Sequence, residues 1–132
     1  MVALPWLAGP QDRNELDDSV VMASRFELAS PRHVPQFLVA SLRIHSQVRR
    51  SDGAIGVALI ARPLRREFYT LSAWRDRDAI DAMVSTEPHR SMMKAFRKHT
   101  ADAEFTFGTT SSSIRPSWTD AHSRLGRRRG RR

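Results

Sequence analysis

Eight consecutive residues without a polar side chain, Ala54 to Ala61 (AIGVALIA), stand between Gly53 and Pro63. A run this short falls well below the roughly 20 residues that cross a bilayer. Bounded by turn residues and made of small and apolar side chains, it reads as a buried central strand. The turn Arg62–Arg66 leads to Glu67–Trp74 (EFYTLSAW), an aromatic and β-branched segment that puts Phe68, Thr70, Ser72 and Trp74 on one face. Two adjacent strands with so short a connection form an antiparallel hairpin.

Two further strands and three helices follow from periodicity. In Ser19–Leu28, Val20, Met22, Ser24, Phe26 and Leu28 alternate with Val21, Ala23, Arg25 and Glu27, and Ala101–Thr109 places Phe105 and Phe107 on one side. Ser30-Pro31 opens a helix whose inner face carries Val34, Phe37, Leu38, Ser41, Leu42, His45 and Val48, with Gln36, Arg43, Gln47 and Arg50 turned outward. Ser51-Asp52-Gly53 ends it, because glycine tolerates the left-handed cap. Asp76 caps a short helix through Val84, and Thr86-Glu87-Pro88 starts another that runs to about His99. Residues 1–18 mix Pro5, Gly9 and Pro10 with Asp, Asn and Glu and read as a flexible lead-in on which only Trp6 and Leu7 can dock.

The order β-α-β-β-α-α-β over residues 19–114 suits an α+β, ferredoxin-like domain, a four-stranded antiparallel sheet with helices on one face. The other sheet face is then open, and a small domain hides such a face in a homodimer, two sheets curling into a shared α/β barrel.

At 132 residues the chain makes one domain, and its net charge of +8 is concentrated at one end. Residues 115–132 carry seven arginines (Arg115, Arg124, Arg127, Arg128, Arg129, Arg131 and Arg132) against the single Asp120, six of the eight net charges. This stretch reads as a basic disordered tail, able to bind nucleic acid or an acidic surface, or serving only solubility. There is no cysteine, so disulfides, thiolate metal sites and a cysteine nucleophile are excluded. Phosphate-loop, dinucleotide, HExxH, EF-hand and GxSxG patterns are absent as well. Asp76, Asp78 and Asp81 have offsets that suit a cap and a solvated face rather than a metal. With no basic, signal-like start and no membrane span, the expected location is cytoplasmic.

The residue most suited to chemistry is His89. His89, Met92, Met93 and Phe96 recur at i, i+3, i+4 and i+7, so the imidazole heads an apolar stripe. Such a ring can ligate haem iron, which would make His89 a metal ligand, or serve as base and hydrogen-bonding partner to a bound phenol or quinol. It can equally do no more than bond locally at the helix start. Trp74 ends the neighbouring strand and can line a cavity or simply fill the core. His45, on the inner helix face, can approach either residue or be satisfied by a backbone carbonyl. Phe37 with Met92, Met93 and Phe96 would wall an apolar slot, for haem or for a small hydrophobic substrate without any cofactor.

The stretch FYTLSAWRDRDAIDAMVSTEPHRSMM, Phe68–Met93, resembles the strand–helix signature of the antibiotic-biosynthesis monooxygenase superfamily of dimeric α/β-barrel proteins. GAIGVALIARPLRREF, Gly53–Phe68, is similar to the hairpin before it in the branch that includes spheroidene monooxygenase. The resemblance implies an oxidoreductase of monooxygenase type acting on a small hydrophobic or aromatic substrate, haem-dependent or cofactor-free, with His89 and Trp74 at its centre. The other reading is a non-catalytic dimeric module that binds a small ligand, the arginine tail acting separately.

Overall fold

The computed structural model describes residues 2–12, 14, 16–111, 116–119, 121, 123 and 125. In chain order these form β1 (Val2–Ala8), β2 (Asp18–Leu28), α1 (Val34–Arg49), β3 (Ala54–Arg62), β4 (Glu67–Trp74), α2 (Arg77–Val84), α3 (His89–Phe96) and β5 (Thr100–Ser111). The strands make one antiparallel sheet in the order β1-β3-β4-β2-β5. The apolar run at Ala54 is indeed internal, with β1 on one side and β4 on the other.

The sheet has one strand more than the four expected, because the lead-in is not loose. Val2–Ala8 pairs with β3 at the sheet edge, and Gly9 and Gln11 continue the pairing by donating to the carbonyls of Ile55 and Ala54, both at 2.9 Å. Its register shifts between Leu4 and Leu7, so one extra residue is accommodated around Pro5 and Trp6. A proline is tolerated at an edge or bulge because it has no ladder N–H to lose. The same bulge breaks the alternation by which a strand is recognised. Trp6 lies over Gly56, where an added Cβ would come within 2.4 Å of the indole.

Local sequence accounts for the other elements. Ser30 caps the turn before α1, accepting from the Arg32 amide, and Gly53 adopts φ 84° just after the helix. Asp76 caps α2 by accepting from the Ala79 amide at 2.8 Å. The buried side of α1 is wider than the apolar pattern alone suggests. Val34, Phe37, Ala40, His45 and Val48 are buried, but so is Gln47, while Leu42 is exposed.

The sheet face under the helices carries two packed clusters. Trp74, Met22, Val48, Val57, Ile80 and Met83 fill one end, and Leu28, Val34, Phe37, Ala61 and Phe68 fill the other. On the opposite face, Ala23, Tyr69 and Leu71 are covered by the C-terminal segment and by Trp6. Trp118, Thr119, Ala121, Ser123 and Leu125 are helical there, with Ala121 and Leu125 buried. Ala121 and Leu125, in the stretch expected to be a disordered tail, thus pack on the sheet face expected to stay open. The seven arginines and Asp120 lie outside the described residues. Beside this patch Arg25, 3% exposed, is held by Glu67 at 3.3 Å and Asp102 at 3.2 Å, and Tyr69 donates its hydroxyl to Glu67 at 2.5 Å.

Candidate functional site

Between α1, α3 and the sheet lies an inner chamber of about 60 Å³ walled by Met22, Phe37, His45, Met83, His89 and Met93, among others. It adjoins a groove of about 750 Å³ that runs out between α2, α3 and edge strand β5. Chamber and groove share Met22, Phe26, Phe37, His89, Met93 and Phe105, so His89 stands at their junction. The groove is largely apolar and aromatic. Phe37 packs against Phe26, Phe68 and Phe96 at ring distances of 5.7, 4.5 and 5.0 Å, and Phe105 meets Phe26 edge-on at 5.4 Å. At the mouth the Arg77 guanidinium lies 3.6 Å over the Phe107 ring.

Alternation puts small polar groups into this apolar chamber. Ser24 of β2 and Thr70 of β4 are register partners, and their hydroxyls bond to each other across the chamber floor. Ser72 accepts from the Trp74 indole N–H at 2.8 Å, and Ser41 donates to the Phe37 carbonyl at 2.8 Å.

The two histidines are the titratable groups of the chamber. Burial pushes His89 below the ordinary histidine range, and the nearby carbonyl of Val84 only partly opposes this. Burial also lowers His45, with the positive charge of Arg49 adding to the effect and the carbonyl of Val57 opposing it. Both rings are therefore neutral at pH 7. A neutral imidazole that directs its one N–H at a carbonyl keeps the other nitrogen as an acceptor. His45 Nε2 and His89 Nδ1 are both buried and without a hydrogen-bond partner among the described residues. A buried polar atom left unpaired costs about 1–3 kcal/mol, so two of them on one small chamber mark a place built to receive donors.

Gln47 sets the position of His89. Its amide donates to the carbonyls of Met83 and Thr86 at 3.1 and 3.3 Å, and its Oε1 accepts from the His89 backbone N–H at 2.9 Å. That N–H belongs to the first turn of α3, where no carbonyl of the same helix is available. The sequence reading turned Gln47 outward, since an apolar wheel assigns every amide to solvent. Its signal is the i, i+7 relation to Ala40, which is buried as well.

The residues singled out from sequence divide clearly. His89, His45, Phe37 and Met93 meet at the chamber, and Phe96 lines the groove. Met92 is on neither wall. Trp74 is fully buried behind the wall, clustered with the chamber-lining Met22, Val48, Val57 and Met83 and donating to Ser72, and does not itself line the chamber. His33 and His99, set aside from sequence, stack on each other at 3.7 Å away from the chamber.

Haem ligation at the unpartnered nitrogen of His89 does not fit this arrangement. That nitrogen is the one flanked by its own Cβ and is enclosed, and the chamber beside it has the volume of a few waters. Among the described residues no group of three or more His, Asp or Glu side chains could hold a metal ion, and no helix is long and apolar enough to cross a membrane.

No protein family matches the chain by sequence, and no curated protein does either. Solved structures do match it. A candidate antibiotic-biosynthesis monooxygenase from Bacteroides thetaiotaomicron superposes with a TM-score of 0.64 at 14% identity, over 75% of this chain and 96% of that one. SnoaB from Streptomyces nogalater, a cofactor-independent oxygenase, matches with a TM-score of 0.50 at 17% identity, over 76% of this chain and 96% of that one. A candidate monooxygenase from Fusobacterium nucleatum matches at 0.61 and 12% identity over 73% of this chain, which spans about half the length of that protein, 47%. The chain thus has the ferredoxin-like fold of the antibiotic-biosynthesis monooxygenases. Identities of this size carry the architecture and leave the activity to be argued from the site.

Proposed function

We propose that the chain is a cofactor-independent oxygenase acting on a small hydroxylated aromatic compound. The observation that carries this reading is the pair of neutral imidazoles, His45 buried and His89 half-buried, each with one buried ring nitrogen, Nε2 and Nδ1, that has no hydrogen-bond partner among the described residues, on one apolar chamber. A phenolic ring is held in the Phe-lined groove with its hydroxyl at the junction, where His89 Nδ1 accepts the proton. The phenolate is electron-rich enough to pass an electron to dioxygen. The chamber behind, lined by Met22, Met83 and Val57, takes a molecule of that size and excludes a ring. Recombination at the carbon para to the oxygen, followed by loss of water, gives a quinone. One phenol and one dioxygen become one para-quinone and one water, so the substrate supplies all four electrons and no reductant is needed. His45 supplies the second acceptor for the proton shed as the ring is oxidised. The cofactor-independent relative SnoaB supports this choice over a haem enzyme.

A non-catalytic ligand-binding module is favoured by one specific feature: among the described residues the chamber lining contains no carboxylate or guanidinium to complete an acid–base pair. Oxygen uptake by the purified protein with a panel of naphthols and phenols whose para carbon bears hydrogen separates the two. The enzyme reading expects uptake at one dioxygen per quinone formed, reduced at least tenfold in His89→Gln. Saturable binding without uptake, for every compound that binds, establishes the module instead.

A further inference from the structure

Of the acidic and guanidinium side chains that line the groove beside His89, all but one are engaged. Asp102 lines it from β5 but shares the other face of the sheet with Arg25, which holds it at 3.2 Å. Asp81 on α2 lies 3.8 Å from Arg77, and Arg77 itself is laid on the Phe107 ring at 3.6 Å. Arg97, in the turn directly after α3, lines the groove as well, and among the described residues its guanidinium has no ion pair, hydrogen bond or aromatic ring as partner. Its neighbours do not neutralise it. The His99 ring meets Phe96 edge-on at 6.5 Å and is held below the ordinary histidine range by partial burial, then by the positive charges of His33, Lys98 and Arg32. This end of an aromatic groove is therefore electropositive.

Position along α3 adds a length. His89 is the first residue of α3 and Arg97 follows its last, so at 1.5 Å per residue they stand about 12 Å apart along the axis, the span of two or three fused aromatic rings with a polar group at each end. Between them Phe26, Phe37, Phe96 and Phe105 supply the wall. We propose that Arg97 is the specificity-determining residue of the groove: it receives a carboxylate carried at the end of the ring system remote from the hydroxyl, so that the compound bound is a hydroxylated aromatic acid. This rests on the reading of the groove as the aromatic site. A guanidinium presents paired N–H donors that match the two oxygens of a carboxylate, and such a pair formed against an apolar wall is stronger than one in open solvent. Arg97 is exposed when the groove is empty, so its charge stays hydrated until the acid arrives.

The test is isothermal titration calorimetry of the full chain at pH 7 with two naphthols of the same shape, one bearing a carboxylate on the ring remote from the hydroxyl and the other the corresponding carboxamide. The carboxylate is expected to bind about tenfold more tightly, as a charge-assisted hydrogen bond gives, and Arg97→Gln to reduce that ratio to about twofold or less. Because Arg97 is exposed, the substitution spares the core. Lys98→Gln, one residue along, is expected to keep most of the preference. Equal affinity for the two compounds overturns the proposal, as does a preference that survives Arg97→Gln or one that Lys98→Gln removes equally, which marks diffuse charge rather than a contact. These results leave the oxygenase reading standing, since oxygen uptake with neutral naphthols tests it separately. The expected preference without any uptake strikes the oxygenase reading and supports the Arg97 assignment, whereas no binding of either compound overturns both.

Discussion

A single amide, that of Gln47, ties three backbone groups of the α2–α3 connection to α1. Replacing it with leucine keeps the volume but strands the His89 N–H and the Met83 and Thr86 carbonyls. At about 1 kcal/mol for each bond lost, with a further cost for the buried groups left unpaired, Gln47→Leu is expected to lower stability by about 2–4 kcal/mol in urea unfolding. The histidines set a pH signature at the same scale. Burial holds both below the ordinary value near 6.5, so between that value and their folded values the unfolded chain binds more protons. Stability is therefore full above about pH 6.5 and declines as pH falls through the folded values. Urea midpoints at pH 7.5 and 5.5 are expected to differ in that direction, and by less in His45→Gln and His89→Gln. His89 was legible in the sequence because a ring heading an apolar helical stripe has few other uses. Gln47 was not, since its partners are backbone atoms brought to it only by the fold.

The elements whose pattern is regular were readable in full: β2, β3, β4 and β5 alternate or run apolar, and α2 announces itself with Asp76. β1 was missed because Pro5 and a bulge interrupt its alternation, and edge strands, paired on one side only, tolerate such interruptions. Its place depends on contact rather than pattern, chiefly on Trp6 lying over Gly56. Gly56→Ala is accordingly expected to displace Trp6, at a cost of about 1–3 kcal/mol for the overpacking. Tryptophan emission should move to the red, while far-UV circular dichroism keeps the signal of the remaining strands and helices. An unchanged emission maximum would mean that β1 is held by its backbone bonds alone. The C-terminal segment escaped for another reason. Its stripe at Trp118, Ala121 and Leu125 is narrow and stands next to an arginine-rich run, whose composition suggests solvent.

For the molecule as a whole, the fold follows from an internal apolar strand that needs neighbours, helices that cover one sheet face, and a chamber where that cover is incomplete. The chamber's small volume separates the two chemistries that the sequence leaves open. Added haem is expected to give no Soret band that His89→Ala removes; a band lost in that variant would restore the haem reading. The central claim is that His45 and His89 are neutral acceptors awaiting a donor in the same chamber. Long-range proton–nitrogen spectra of the 15N-histidine-labelled protein at pH 7, with and without a naphthol, test it most directly. The account predicts single neutral tautomers with His45 Nε2 and His89 Nδ1 unprotonated, and a ligand-induced shift at His89 Nδ1 while the stacked His33 and His99 stay unmoved. Rings that are charged at pH 7, or a ligand that shifts His33 and His99 and leaves His89 untouched, would contradict it.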